Sequence, residues 1–213
     1  MAKPRIVVID YGVGNILSVQ RGLEHCGAEV VLTSDPEVVL QARRVVLPGV
    51  GAFGDAMQAL IERDLVSPLQ KIAEQGIPLL GICLGMQLLL EESEEFGITR
   101  GLGIIPGRVH AISPETISGV PHKIPHIGWN ALLETEMPWK DTLLADTKNG
   151  DAAYFVHSFM AVPNDFAHRL ADCEYGGHLI PAVIARGRTT GCQFHPEKSG
   201  EVGLAILRRF CVS

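Results

Sequence analysis

The chain has 213 residues, 46% of them hydrophobic and 20% charged, with a mean hydropathy of +0.21; this predicts one well-buried globular domain over residues 1–213 and excludes a disordered chain. A formal net charge of −6 and a pI near 5.7 remove the attraction that phosphate backbones and anionic membranes need, so neither nucleic acid nor membrane is expected as a partner. No apolar run approaches the roughly 20 residues of a membrane span, "MAKPRIVVID" enters a strand without a signal-peptide core, and the five cysteines (Cys26, Cys83, Cys173, Cys192, Cys211) contain no CxxC pair, which together predict a cytoplasmic protein with free thiols and no metal or cofactor.

In chain order, "RIVVID" reads as a strand, Asn15 to Cys26 as a helix, "EVVLT" as a strand, a short helix starts at Pro36, and "RVVLP" is a third strand. Continuous Val, Ile and Leu runs mark strands covered on both faces, as in a parallel sheet flanked by helices. Helices over about Gly54–Asp64 and Ser67–Gln75 lead to the strand "IPLLGI", after which Leu84, Gln87, Leu88 and Glu91 keep helical spacing. From about Leu102 to Thr190 the segments shorten, and "AAYFVHSF", "HRLADCEY" and "IPAVIARGR" read as antiparallel or mixed strands. A last strand "TTGCQF" and a helix over Gly200–Phe210 complete an α/β reading: a flavodoxin-like, doubly wound, three-layer sandwich whose sheet is mostly parallel, with an antiparallel or mixed second half.

Three motifs carry candidate chemistry. In "GICLGMQ", Cys83 stands between Gly81 and Gly85, the G-x-nucleophile-x-G spacing of a sharp strand-to-helix elbow, where side chains two residues away on either side would collide. The elbow sets the sulfur at a helix N-terminus, which favours the reactive thiolate. In "GCQFHPEKSG", Gln193, His195 and Glu197 alternate, so an extended chain would turn His195 and Glu197 to one face as a base and its orienter. In "LPGVGAFGDAM", Gly49, Gly51 and Gly54 spell GxGxxG, but the motif does not follow the first strand of its unit and lacks the acidic partner a dinucleotide site needs. Oxyanion binding suits it better, with the amides of Val50, Gly51 and Leu84 as candidate donors. "DYGVGN" reads as a surface loop before a helix.

The order PGxG, GxCxGxQ, HPE resembles the class I, or triad, glutamine amidotransferases over nearly the whole chain. With "DYGVGN", "PHIGWN", "YFVHSF" and "FHPEKSG", it is similar above all to the glutaminase subunits of imidazole glycerol phosphate synthases. The resemblance implies hydrolysis of L-glutamine to glutamate and ammonia through a thioester, with Cys83 as nucleophile, His195 as base and then acid, and Glu197 as orienter. It also implies glutamine contacts at Gln87, Glu95, Ser158 and Phe159. The implied partner is a (βα)₈-barrel synthase subunit, a separate chain since the sequence ends at Ser213, in a heterodimer contacted through Asn15, Trp129, Asn130 and Lys198. Another class I glutaminase, or a free-standing γ-glutamyl hydrolase, are the alternatives.

Overall fold

A computed structural model describes residues 3–213. The first four strands are β1 (Arg5–Ile9), β2 (Glu29–Thr33), β3 (Val45–Gly49) and β4 (Leu79–Cys83), interleaved with α1 (Ile16–His25), α2 (Pro36–Leu40), α3 (Phe53–Glu62) and α4 (Val66–Glu74). Then come α5 (Leu84–Leu88), β5 (Glu92–Ser93), β6 (Thr99–Arg100), β7 (Gly107–Ala111), β8 (His126–Ala131), β9 (Leu133–Glu134), β10 (Ala152–His157) and β11 (Phe159–Pro163). The chain continues through β12 (Arg169–Tyr175), β13 (His178–Arg186), β14 (Thr189–Cys192) and α6 (Gly200–Val212).

The eight-stranded sheet has the order β2-β1-β3-β4-β14-β13-β12-β9. Pairing is parallel from β2 to β14 and antiparallel beyond it, so the doubly wound architecture and its mixed second half are both present. Because strand side chains alternate faces, Ile6, Val8, Val46, Leu80 and Ile82 meet α1 and α6 through Val19, Leu23, Ile206 and Leu207 in one apolar cluster. Val7, Ile9, Val45, Leu47 and Leu79 meet α2, α3 and α4 through Val39, Met57, Leu60, Leu69 and Ile72 in the other. Two helical layers thus enclose the sheet. A β8–β10 pair and a four-stranded sheet in the order β11-β7-β5-β6 are built from the segments between β5 and β11.

Local sequence explains several boundaries. Asp35 accepts a hydrogen bond from the Glu37 amide at 2.9 Å, and Pro36 opens α2 with its φ preset. The edge position of β2 leaves that strand half covered, unlike β1, β3 and β4. The helix after Cys83 is shorter than its spacing predicts: α5 stops at Leu88, because the carbonyls of Leu88, Leu89 and Leu90 accept amides from the 102–105 segment. The strand "TTGCQF" ends at Cys192, and the chain bends at Gln193 and Phe194. The loop "DYGVGN" is not wholly a surface feature either, since Tyr11 is fully buried with its hydroxyl donating to the Pro48 carbonyl at 2.8 Å.

At the β4–α5 junction the backbone itself fills the space. A Cβ on Gly85 would lie 1.8 Å from the Leu47 carbonyl oxygen, and one on Gly81 would lie 2.6 Å from the Gly85 oxygen. Neither neighbour can move without breaking β3 or α5. Gly85→Ala is therefore expected to destabilise the chain by about 3 kcal/mol or more, or to prevent folding, as read from urea denaturation; an unchanged midpoint would contradict the tight elbow.

Candidate active site

Register brings the three motifs to one place. Gly49 of β3 stands opposite Cys83 of β4, and Ile82 stands opposite Cys192 of β14. The glycine-rich turn, the thiol and the histidine segment therefore leave the carboxyl ends of three adjacent parallel strands, the position where open α/β sheets bind ligands. Cys83 holds φ 55° and ψ −112°, a conformation that costs a non-glycine residue about 1–3 kcal/mol and persists only where packing enforces it. The sulfur lies 4.0 Å from the Val156 carbonyl oxygen.

His195 and Glu197 do meet, but not along an extended strand. Glu197 lies in the 3-10 turn Pro196–Lys198, which folds its carboxylate back so that Oε1 lies 2.8 Å from His195 Nδ1. With Nδ1–H donating to the carboxylate, Nε2 is the nitrogen left for the sulfur. Both side chains are buried, and Glu197 Oε2 has no partner among the described residues, so this carboxylate serves the imidazole alone. Burial pulls the His195 imidazolium down, but hydrogen bonding with Cys83 and Glu197, and the charges of both, outweigh it and lift the group to about 9. The protonated imidazole is thus a positive charge held beside the sulfur.

A cleft of about 450 Å³ opens over the thiol, lined by Val50, Gly51, Cys83, Leu84, Gln87, Glu95, Ser158, Phe159 and His195. All nine were singled out from the sequence. Phe96, Pro125, Val156 and His157 complete the lining and were not. Glu95 reaches back to the start of α3, where Oε2 accepts the Phe53 amide at 2.6 Å. The Gln87 amide group donates to the Phe159 carbonyl at 3.1 Å and to Gln193 Oε1 at 3.0 Å, so it braces the wall of the cleft. Gln193, fully buried, extends its own amide nitrogen to 3.9 Å from Cys83 Sγ, a contact that its alternation with His195 and Glu197 in the sequence does not reveal.

Of the residues expected at a partner face, Asn15 and Lys198 are exposed, and Trp129 is 60% exposed with its ring next to Gly200. Asn130 is half-buried beside Trp129. Its amide nitrogen turns inward, donating to the Glu174 carbonyl at 2.6 Å and to His126 at 3.2 Å. None of the helices is long and apolar enough to cross a membrane among the described residues.

A thiol, an imidazole and a carboxylate in series at the carboxyl ends of a parallel sheet define a cysteine-dependent acyl-transfer enzyme. The chain belongs to the class-I glutamine amidotransferase family, whose profile matches residues 7–213. It is 49% identical over 207 residues to imidazole glycerol phosphate synthase subunit HisH 1 of Legionella pneumophila (strain Lens), covering 96% of this chain and 97% of that one. It is 48% identical over 205 residues to the HisH subunit of Geobacillus kaustophilus (strain HTA426), covering 96% and 95%. A solved structure described as a glutamine amidotransferase superposes with a TM-score of 0.72 at 16% identity, covering 97% of this chain and 99% of its own, a likeness of fold. The chain is a glutamine amidotransferase of the glutaminase type.

Titration of the site's histidines sets a pH dependence. His195 is lifted from 6.5 to about 9, so between those values the folded state holds the extra proton and stability falls as pH rises. Burial lowers His126 and His157 from 6.5 to about 4; there the unfolded chain binds the extra protons, and stability falls as pH drops. Urea midpoints should peak near neutrality and decline on both sides, the limb up to pH about 9 flattening in His195→Asn. Above it, the buried thiols of Cys173 and Cys211, raised by burial to about 12 and about 11, take over the decline. A midpoint constant from pH 4 to 9 would contradict these assignments.

Proposed function

We propose that this chain is the glutaminase subunit of an imidazole glycerol phosphate synthase, hydrolysing L-glutamine and passing ammonia to a separate (βα)₈-barrel subunit in histidine biosynthesis. The observation that carries the reading is the Cys83–His195–Glu197 series facing a cleft lined by Val50, Gly51 and Leu84, in a chain about half identical to two HisH subunits over almost its full length.

The chemistry follows from the atoms. Cys83 Sγ attacks the carboxamide carbon, and the tetrahedral oxyanion is received by backbone amides at Val50, Gly51 or Leu84. His195 gives its proton to the departing nitrogen as the C–N bond breaks, releasing ammonia and leaving a γ-glutamyl thioester. Water, deprotonated by His195, then attacks the thioester carbon; the C–S bond breaks, and glutamate leaves. Glu197 holds the imidazole in one tautomer and stabilises its cationic form. Gln87, Glu95, Ser158 and Phe159 hold the substrate. The barrel docks on the face carrying Trp129, Asn15, Asn130 and Lys198, with Trp129 as the large exposed anchor. Over residues 1–213 the chain acts as one domain, in the cytoplasm.

Cys83→Ala is expected to abolish glutamine-dependent synthesis by the assembled complex while synthesis from added ammonia survives, because only the thioester needs sulfur. Glutamine-dependent turnover persisting in that variant would remove Cys83 from its role.

Assembly provides the second test. Adding the barrel subunit with its nucleotide ligand is expected to raise glutaminase kcat by about 10²–10³, the effect of one oxyanion donor, since the Val50–Gly51 peptide lies on an exposed loop that a partner can reorient. Equal kcat with and without the barrel would favour a free-standing γ-glutamyl hydrolase.

A further inference from the structure

Two buried histidines, outside the triad, belong to a hydrogen-bond chain that ends on the nucleophilic sulfur. Asn130 Nδ2 lies 3.2 Å from His126 Nε2, His126 Nδ1 lies 2.9 Å from His157 Nε2, and His157 Nδ1 lies 2.8 Å from the Phe159 carbonyl oxygen. The same oxygen receives Gln87 Nε2 at 3.1 Å; Gln87 Nε2 also reaches Gln193 Oε1 at 3.0 Å, and Gln193 Nε2 points at Cys83 Sγ from 3.9 Å.

Only one set of proton positions satisfies this chain. A carbonyl oxygen only accepts, so His157 carries its hydrogen on Nδ1, and its bare Nε2 must accept from His126 Nδ1–H. The bare Nε2 of His126 then accepts from the Asn130 amide. Both hydrogens of the Gln87 amide are committed, one to Phe159 and one to Gln193, which fixes the Gln193 carbonyl toward Gln87 and its N–H groups toward the sulfur. Reversing any member would set two lone pairs or two hydrogens face to face. His126, His157, Gln87 and Gln193 are all buried, where such a mismatch is costly. Burial also holds both imidazoles at about 4, so each stays neutral and keeps its tautomer at working pH. His126 is further clamped between Phe155 and Tyr175, with ring centroids at 5.0 and 4.2 Å.

We propose that Gln193 is a positioning residue that presents an N–H to the Cys83 sulfur, and that the Asn130–His126–His157 chain fixes the Phe159 carbonyl and Gln87 amide that orient it. The assignment rests on Cys83 being the nucleophile. What the chain supplies is a neutral donor aimed at the nucleophilic sulfur, in addition to the charged His195. It also ties a wall of the cleft to the strand that carries the exposed Trp129.

The test is the rate at which iodoacetamide alkylates Cys83 in the intact folded chain at neutral pH, located by peptide mass mapping, with melting temperature measured beside it. Gln193→Leu and His157→Leu are expected to slow alkylation about three- to tenfold, the weight of one hydrogen bond. His157→Gln can still donate to Phe159 and accept from His126, and should return to within about twofold of wild type. In the complex, kcat for glutamine should fall in parallel while KM changes by less than about twofold. Wild-type alkylation rates in both leucine variants, or failure of His157→Gln to recover in a chain that melts normally, overturn the proposal. If the leucine variants do not fold, Asn130→Ala at the outer end decides it: slower alkylation supports the chain, and an unchanged rate overturns it. A wild-type Cys83 that iodoacetamide leaves untouched overturns the nucleophile assignment instead.

Discussion

Cys83 is at once the last residue of β4 and the residue before α5, and it makes the turn at φ 55°. That turn sets the terms for everything around it. The strand must run straight into a helix without a loop, so the helix backbone presses on β3 at Gly85 and on β4 at Gly81, and neither position has room for a Cβ. Strain of this kind survives only when the flanking structure is rigid, and β4 supplies the rigidity by lying in the parallel core between β3 and β14, with apolar layers on both faces. The same neighbours deliver the glycine-rich turn on one side and the histidine segment on the other. Strain and assembly of the site are consequences of one strand order.

The site uses histidine in two opposed electrostatic states. His195 is buried beside a carboxylate and a thiol, and their interactions outweigh desolvation and keep it cationic over the neutral range. His126 and His157 face each other across stacked rings, and desolvation, with the charges of neighbouring histidines, leaves both neutral. One imidazole holds a second proton; the other two are fixed hydrogen-bonding parts. The 3-10 turn that brings Glu197 onto His195 also places Lys198 at the surface, next to the segment that Trp129 covers. His195 and the exposed Lys198 are thus one turn apart.

The apolar runs carried the layered sheet well, because β1, β3 and β4 are rich in Val, Ile and Leu, and β1 and β3 alternate between the two apolar clusters. The G-x-C-x-G elbow was legible for a similar reason: its steric requirement is local. What pattern could not supply was anything decided by packing between distant strands. Glu197 reaches His195 through a 3-10 turn rather than by strand alternation, since Pro196 and the early end of β14 break the extended chain. Gln193 meets the sulfur only because β14 packs beside β4. The link between His126 and His157 depends on their pairing across β8 and β10, and Asn130 turns inward because the Glu174 carbonyl stands in reach. Short polar segments do not announce their register.

The central claim is that the strained, histidine-paired Cys83 forms the acyl bond with glutamine. A diazoketone analogue of glutamine, incubated with the intact chain in complex with its barrel subunit and read by mass spectrometry of the digest, addresses that bond directly. The account predicts one covalent adduct, on the peptide carrying Cys83, suppressed by excess L-glutamine and lost in Cys83→Ala. An adduct on any of the other four cysteines that glutamine protects, with Cys83 unmodified, would contradict it.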